Sequence, residues 1–170
     1  TVFDDTTEQQ LQERIQGADI LVTKEMPLRA EMIQQFPESV KLICEAGTGY
    51  NNIDLEATEK KGITVCNIPA YSSERVAHTA IMMLLNLSST MQVQMKMLAC
   101  GNHDNFTGNL QVPHVEVNGK TLGVIGAGHI GRKVIKSAQA LDMNILVYSR
   151  TAREDEEGIR YVSLEELLKN

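Results

Sequence analysis

Two stretches of this 170-residue sequence carry residue types at spacings that do chemistry. The first is Gly126-Ala127-Gly128-His129-Ile130-Gly131, a GxGxxG pattern. Alone the pattern is weak. Here an apolar run over 122–125 precedes it, a helical pattern opens on it, and a second apolar run over 144–148 follows. A dinucleotide-binding turn requires that context. Gly126 would permit the tight turn, Gly128 would let backbone approach a pyrophosphate, and Gly131 would let helix and strand pack closely. The helix N-terminus would turn free N–H groups and its positive dipole end toward the phosphates. The alternative is a plain strand–turn–helix with accidental glycines. His129 falls in the first helical turn, where its backbone N–H matters more than its ring, so no catalytic role is expected of it.

The end of the second strand bears on which dinucleotide would bind. An acidic residue about 20 positions past the glycines ordinarily takes the ribose hydroxyls. The sequence there reads Val147-Tyr148-Ser149-Arg150-Thr151-Ala152-Arg153, with Ser149 in the acid's place. Ser149, Arg150 and Thr151 can hydrogen-bond a 2′-phosphate that a carboxylate would repel, and Arg150 adds charge. A preference for NADP over NAD is expected. The alternative is that Arg150 faces solvent and NAD binds anyway.

The second stretch is Glu45-Ala46-Gly47-Thr48-Gly49-Tyr50-Asn51-Asn52-Ile53-Asp54. It lacks a third glycine. Either it forms a nest of backbone N–H groups for a small anion, or it is a structural turn capped by Asp54.

Apolar bursts alternating with 3.6-period segments must position these loops, and that alternation marks an α/β protein. Strands are expected at 1–3, 20–22, 40–44, 63–66, 122–125 and 144–148. Thr7 with Gln10, and Ser163 with Glu166, have capping-box spacing. Asp54 is placed to cap a helix ending at Gly62, and residues 28–36 read as another helix, stopped by Pro37. A continuous helix is expected over 73–100, with Val76, Ala80, Leu84, Leu87, Met91, Met95 and Leu98 inward. At 1.5 Å per residue it would run ~40 Å, more than one small domain needs, so it should join two bodies or pack on a partner. Residues 102–118 read as a loop, and 154–157 as a solvated acidic run.

Composition narrows the function classes. Hydrophobic residues make up 42 % and charged residues 22 %, which suits a folded domain rather than a disordered chain. The formal net charge of −6 argues against nucleic-acid binding. No apolar run approaches the ~20 residues that span a bilayer, so no membrane role is expected. Thr1 follows no basic leader and no initiator Met, so the start is expected to be processed or trimmed. Cys44, Cys66 and Cys100 show no CxxC spacing. They read as reduced cytoplasmic thiols acting as small buried hydrophobes, with no metal site.

The order of several segments resembles the D-isomer-specific 2-hydroxyacid dehydrogenase family. These are Ala18-Asp19-Ile20-Leu21-Val22-Thr23, the loop from Ala46 to Asp54, Asn67-Ile68-Pro69-Ala70-Tyr71-Ser72, Val76-Ala77, and Asn118-Gly119-Lys120-Thr121-Leu122-Gly123 leading into the glycine loop. The Asn-Ile-Pro-Ala-Tyr-Ser wording is most similar to glycerate dehydrogenase and hydroxypyruvate–glyoxylate reductase members. The resemblance implies a flavodoxin-like parallel-sheet substrate domain, here its amino-terminal part over 1–98. The first half of a Rossmann coenzyme domain would follow over 99–170, with an active site between the two.

The resemblance also implies roles for particular residues. The N–H groups of Thr48 and Gly49 would hold the carboxylate of a small 2-keto or 2-hydroxy acid. Thr48 would approach the nicotinamide, and the segment around Val76 would line its side. His129 and Ile130 would give backbone N–H groups to the pyrophosphate, and the long helix would support a homodimer. The family's Arg, Glu and His trio matches nothing here. Those catalytic residues are expected beyond Asn170, and the 170-residue chain alone is expected to be inactive. His78 stands where the family commonly has an acidic or amide residue before His-Thr, a second departure beside Ser149. A nucleotide-sensing corepressor and a degenerate non-catalytic relative are the alternative readings.

Overall fold

Thr7 starts the first helix as its spacing to Gln10 predicts, in a computed structural model that describes every residue except Asn109 and Ala152. The Thr7 hydroxyl accepts the Gln10 N–H at 3.3 Å, and the Gln10 side-chain carbonyl accepts the Thr7 N–H at 3.0 Å. This reciprocal cap satisfies two donors that a bare helix end would leave open. It begins α1 (Glu8–Arg14), followed by β1 (Ile20–Thr23), α2 (Ala30–Gln34), β2 (Leu42–Glu45), α3 (Leu55–Lys60) and β3 (Thr64–Cys66).

The three strands pair in parallel, in the order β1-β2-β3, with Ile20 opposite Leu42 and Leu42 opposite Thr64. Parallel neighbours need crossovers, which α2 and α3 supply. Leu28, Ile33, Val40 and Ile43 are fully buried in the resulting core. Each contributes roughly 1.5–3 kcal/mol of burial. Parallel pairing also sends β2 and β3 out at the same edge, where the loops after Glu45 and Cys66 begin. Asp54 closes the first of these loops, its carboxylate accepting the Ala57 N–H at 2.9 Å at the start of α3.

The second unit holds α4 (Ser73–Ser88), α5 (Met91–Ala99), α6 (Asp104–Thr107), β4 (Thr121–Ile125), α7 (His129–Gln139), β5 (Asn144–Tyr148), β6 (Arg160–Tyr161) and α8 (Leu164–Lys169). Its sheet is again parallel, in the order β4-β5-β6. Ile135 and Ala138 of α7 pack on Val124, Ile145 and Val147. The packing groups are Thr1–Tyr71 and Ser72–Asn170, because α4 lies along α7. The packing boundary therefore falls at 71/72, whereas the sequence reading divides the chain at 98/99.

The α/β class and the parallel sheets match the alternation in the sequence, and several local details differ. Residues 1–3 form no strand. The guanidinium of Arg14 sits 4.0 Å above the Phe3 ring instead. The expected helix over 28–36 shortens to α2, because Leu28 exchanges backbone bonds with the next loop: its N–H reaches Asn52 O at 2.8 Å, and its carbonyl takes the Asp54 N–H at 3.0 Å. The long helix breaks at Thr90, which adopts the left-handed region (φ 52°) and donates its hydroxyl to the Pro113 carbonyl.

On α4 Ala77 is buried, and Ile81 and Leu84 pack partly buried against the core of α7 and its sheet; Leu84 lies on the expected stripe, whereas Ala77 and Ile81 stand one position past Val76 and Ala80. Leu87 is 81 % exposed, and among the described residues α5 buries none. Cys66 and Cys100 are exposed rather than buried, and Cys44 is half-buried. Residues 102–118 include the short α6, and β6 carried no periodic signal because it is two residues long. At α8 only half the expected capping box forms. Ser163 accepts the Glu166 N–H at 3.1 Å, while the Glu166 carboxylate turns to Arg160.

Replacing Asp54 by Ala should cost about 1 kcal/mol through loss of the α3 cap. Urea denaturation followed at the first unit should show a lower midpoint, with Asp54→Ser retaining most of the stability.

Candidate functional site

The glycine loop is built by three separate constraints. Gly126 leaves β4 at φ +95°, a conformation that side chains rarely adopt. Its N–H bonds to the Tyr148 carbonyl at 2.8 Å, which fixes the loop to the end of β5. At Gly131 a Cβ would lie 2.1 Å from the Gly126 carbonyl oxygen, so only glycine lets the helix return this close to the turn. At Gly128 a Cβ would meet nothing within 4 Å. That face is open, as expected where a ligand's phosphates approach.

Gly128 also precedes α7 without a side-chain cap. The first intrahelical bond runs from Arg132 N to Gly128 O at 2.9 Å. The N–H groups of Gly128, His129, Ile130 and Gly131 therefore have no protein acceptor among the described residues. The open N–H groups, the dipole end and the missing Cβ at 128 together fit a diphosphate. The His129 side chain is exposed, and Ala127 between the first two glycines is buried in the core.

Ser149, Arg150 and Thr151 follow directly on β5, the strand whose end holds Gly126. Ser149 is half-buried, while Arg150 and Thr151 are exposed. Among the described residues no ion pair engages Arg150. Ala152, in the same expected segment, lies outside the described residues. Behind this edge stands a pair that sequence reasoning missed. Arg132, in the first turn of α7, makes two bonds to Glu156, at 2.9 and 2.8 Å. The Tyr161 hydroxyl adds a third bond to Glu156 at 3.1 Å. Glu156 is exposed, as expected of the acidic run, and it also ties the segment after Arg150 to the glycine-loop helix. The partners are 24 positions apart, and no local pattern announces them.

Hydrogen bonds from Arg132 and then Tyr161 hold the Glu156 carboxyl down to about 2, and the same contact raises the Arg132 guanidinium. The folded value lies below the ordinary 4.5. The pair's stabilisation is therefore present above about pH 4.5 and lost as pH falls toward 2.

In the first unit the loop after β2 presents Thr48 and Gly49 at its exposed turn. The Thr48 hydroxyl donates to the Ile68 carbonyl at 3.1 Å, and Asn67 Nδ2 donates to the Thr48 carbonyl at 2.7 Å. The Ile68 N–H reaches Gly47 O at 2.9 Å. These bonds hold the turn to the loop after β3 and use its carbonyls. The N–H groups of Thr48 and Gly49 have no protein acceptor among the described residues. The turn closed by the Asp54 cap is therefore present, and it leaves these two N–H groups open. Glu45 and Asn52, which support it, were missed. The alternation of β2, with Ile43 and Glu45 both buried, was the available signal.

Two outcomes follow for the second unit. Gly131→Ala should lower its melting temperature sharply through backbone overlap, at a cost of about 1–3 kcal/mol or more, whereas Gly128→Ala should leave it unchanged. A carbon-detected pH titration of Glu156 should give a midpoint near 2, and Arg132→Gln should return it toward 4.5.

Comparison with known proteins places this geometry. The family model for the D-isomer specific 2-hydroxyacid dehydrogenase catalytic domain matches residues 1–159. A hydroxypyruvate reductase from Blautia hydrogenotrophica is 33 % identical, over 98 % of this chain and 54 % of its own length. Among solved structures, a D-lactate dehydrogenase from Aquifex aeolicus, complexed with NAD and lactic acid, superposes with a TM-score of 0.84 at 35 % identity. That match covers 93 % of this chain and 47 % of the dehydrogenase chain. An acyclic imino acid reductase in complex with NADPH and D-Arg gives 0.86 at 26 % identity, over 99 % and 53 % of the two chains. The chain thus spans about half the length of these relatives. With its two parallel sheets, its glycine loop and a family match over nearly all of its length, the chain belongs to the D-isomer-specific 2-hydroxyacid dehydrogenase family.

Proposed function

We propose that these residues form the binding part of an oxidoreductase that moves a hydride between a nicotinamide cofactor and a small 2-keto or 2-hydroxy acid, with NADP preferred. The observation that carries the reading is the glycine turn, closed by backbone at Gly131 and open at Gly128. The turn and the first N–H groups of α7 hold the pyrophosphate, with His129 and Ile130 serving through their backbone. A bound nicotinamide supplies the hydride chemistry, and the protein aligns it. Ser149, Arg150 and Thr151 take the 2′-phosphate, supported by the charge of Arg150, which no ion pair engages among the described residues, and by the serine in place of a carboxylate at 149.

Thr48 and Gly49 hold the substrate carboxylate on their open N–H groups, an arrangement suited to a small anion. The Thr48 hydroxyl is committed to the Ile68 carbonyl, so it positions the turn. In this reading residues 1–98 serve the substrate and 99–170 the coenzyme. The acid–base step is assigned to no residue among these 170. Glycerate, hydroxypyruvate and glyoxylate are the favoured acids, in keeping with the relative that is named a hydroxypyruvate reductase.

The protein acts as a cytoplasmic homodimer in the same reading. Three free thiols support the compartment, and among the described residues no helix is long and apolar enough to cross a membrane. The apolar residues exposed on α4 and α5, such as Met82, Met83, Leu87 and Met95, support the dimer.

Calorimetric titration of the chain should give tighter binding of NADPH than of NADH, and Ser149→Asp should reverse the order. Tighter NADH binding by the unaltered chain would overturn the NADP assignment. No binding of either nucleotide would overturn the cofactor site itself.

A further inference from the structure

Glu45 is an ionisable residue that the proposed function does not use, yet only 1 % of its surface is exposed. It is the last residue of β2, on the same inward face as Ile43. Burying a carboxyl group is costly unless its oxygens are satisfied. Both are. Oε1 accepts the backbone N–H of Glu25 at 3.0 Å, and Oε2 accepts from Asn52 Nδ2 at 3.0 Å. Asn52 Nδ2 gives its other hydrogen to the Met26 carbonyl at 2.9 Å.

These three bonds join two loops. Glu25 lies after β1 in the left-handed region (φ 59°), a strained conformation for a side-chain-bearing residue that persists only where its surroundings hold it. Asn52 lies on the far limb of the turn that presents Thr48 and Gly49. The near limb is already held by residues 67 and 68. Gly47 sits against the same carboxylate, where a Cβ would come within 3.1 Å of Oε1. The carboxylate therefore clamps the limb that residues 67 and 68 leave untouched.

We infer that Glu45 is a positioning residue: its buried carboxylate, bonded to Glu25 and Asn52, holds the Thr48–Gly49 turn in the shape that binds the substrate carboxylate. The inference rests on the reading of Thr48 and Gly49 given above. Chemistry explains why a carboxylate is needed. Its two oxygens only accept, and both facing groups only donate. Glutamine fits the space but loses one of the three bonds whichever way the two amides turn. With its NH₂ toward Glu25, that N–H is unpaired. With its NH₂ toward Asn52, either two donors face each other, or Asn52 flips and its oxygen faces the Met26 carbonyl.

The test compares the unaltered 170-residue chain with Glu45→Gln and with Asn52→Ala, using hydrogen exchange and oxalate as the probe anion. Both variants should speed exchange at the Leu28, Ile53 and Asp54 amides, Glu45→Gln by roughly threefold to tenfold for its one lost bond and Asn52→Ala, which loses two, by at least as much. They should weaken oxalate binding, read from the Thr48 and Gly49 amide shifts, in the same proportion. Exchange in the paired strands β1 to β3 should stay unchanged. Unaltered loop exchange and oxalate affinity in Glu45→Gln would overturn the inference, and so would faster exchange spread evenly over the whole first unit. If oxalate moves neither Thr48 nor Gly49 in the unaltered chain, the substrate reading fails, while loop exchange, measured without ligand, still decides whether Glu45 holds the turn.

Discussion

The carbonyl oxygen of Gly126 occupies the space where any other residue at 131 would place its Cβ. That contact lets α7 return against the turn it has just left, and much of the second unit follows from it. With the helix this close, Ala127 is buried and Ile135 and Ala138 reach the sheet. The N–H groups of the first turn then point outward past Gly128. The bond from Gly126 N to Tyr148 O sets the loop against the end of β5, which puts Ser149 and Arg150 beside the turn.

The first unit solves a related problem with a side chain. Its loop also leaves a parallel strand at the carboxyl end, and the N–H groups of Thr48 and Gly49 have no protein acceptor among the described residues. Here no helix closes on the turn. A buried carboxylate and two neighbouring segments hold it instead, and Gly47 is small because Glu45 lies against it. In both units the glycine whose space is filled serves packing. Gly128, where a Cβ would meet nothing within 4 Å, is the open position of the second unit, while at Gly49 a Cβ would stand in ordinary contact with Asn51 Oδ1, 3.4 Å away.

The ion pair between Arg132 and Glu156 adds a further element. Both side chains are largely exposed, so it contributes little to stability at neutral pH, as surface pairs generally do. Its bidentate geometry matters more, since it orients the segment following Arg150 with respect to the helix that starts at the glycine loop.

Much of this was legible in the residues themselves. The alternation of apolar bursts with helical periods determined the α/β class and most of the strands. Spacing identified the caps at Thr7, Asp54 and Ser163, because capping is local chemistry. The glycine pattern in its strand–turn–helix setting identified the candidate cofactor turn. What the sequence left open depends on partners distant along the chain. The break at Thr90 uses the Pro113 carbonyl, the shortening of the second helix uses Asn52 and Asp54, and the turn from capping box to ion pair at Glu166 uses Arg160. Helical period alone could not decide that Ala77 and Ile81, rather than Val76 and Ala80, join Leu84 on the packed side of α4, since both stripes are apolar. Only the tertiary structure decided that Glu45 and Glu156, two acids among 22 Asp and Glu residues, are structural. A carboxylate's role depends on which donors surround it, and those donors come from other segments.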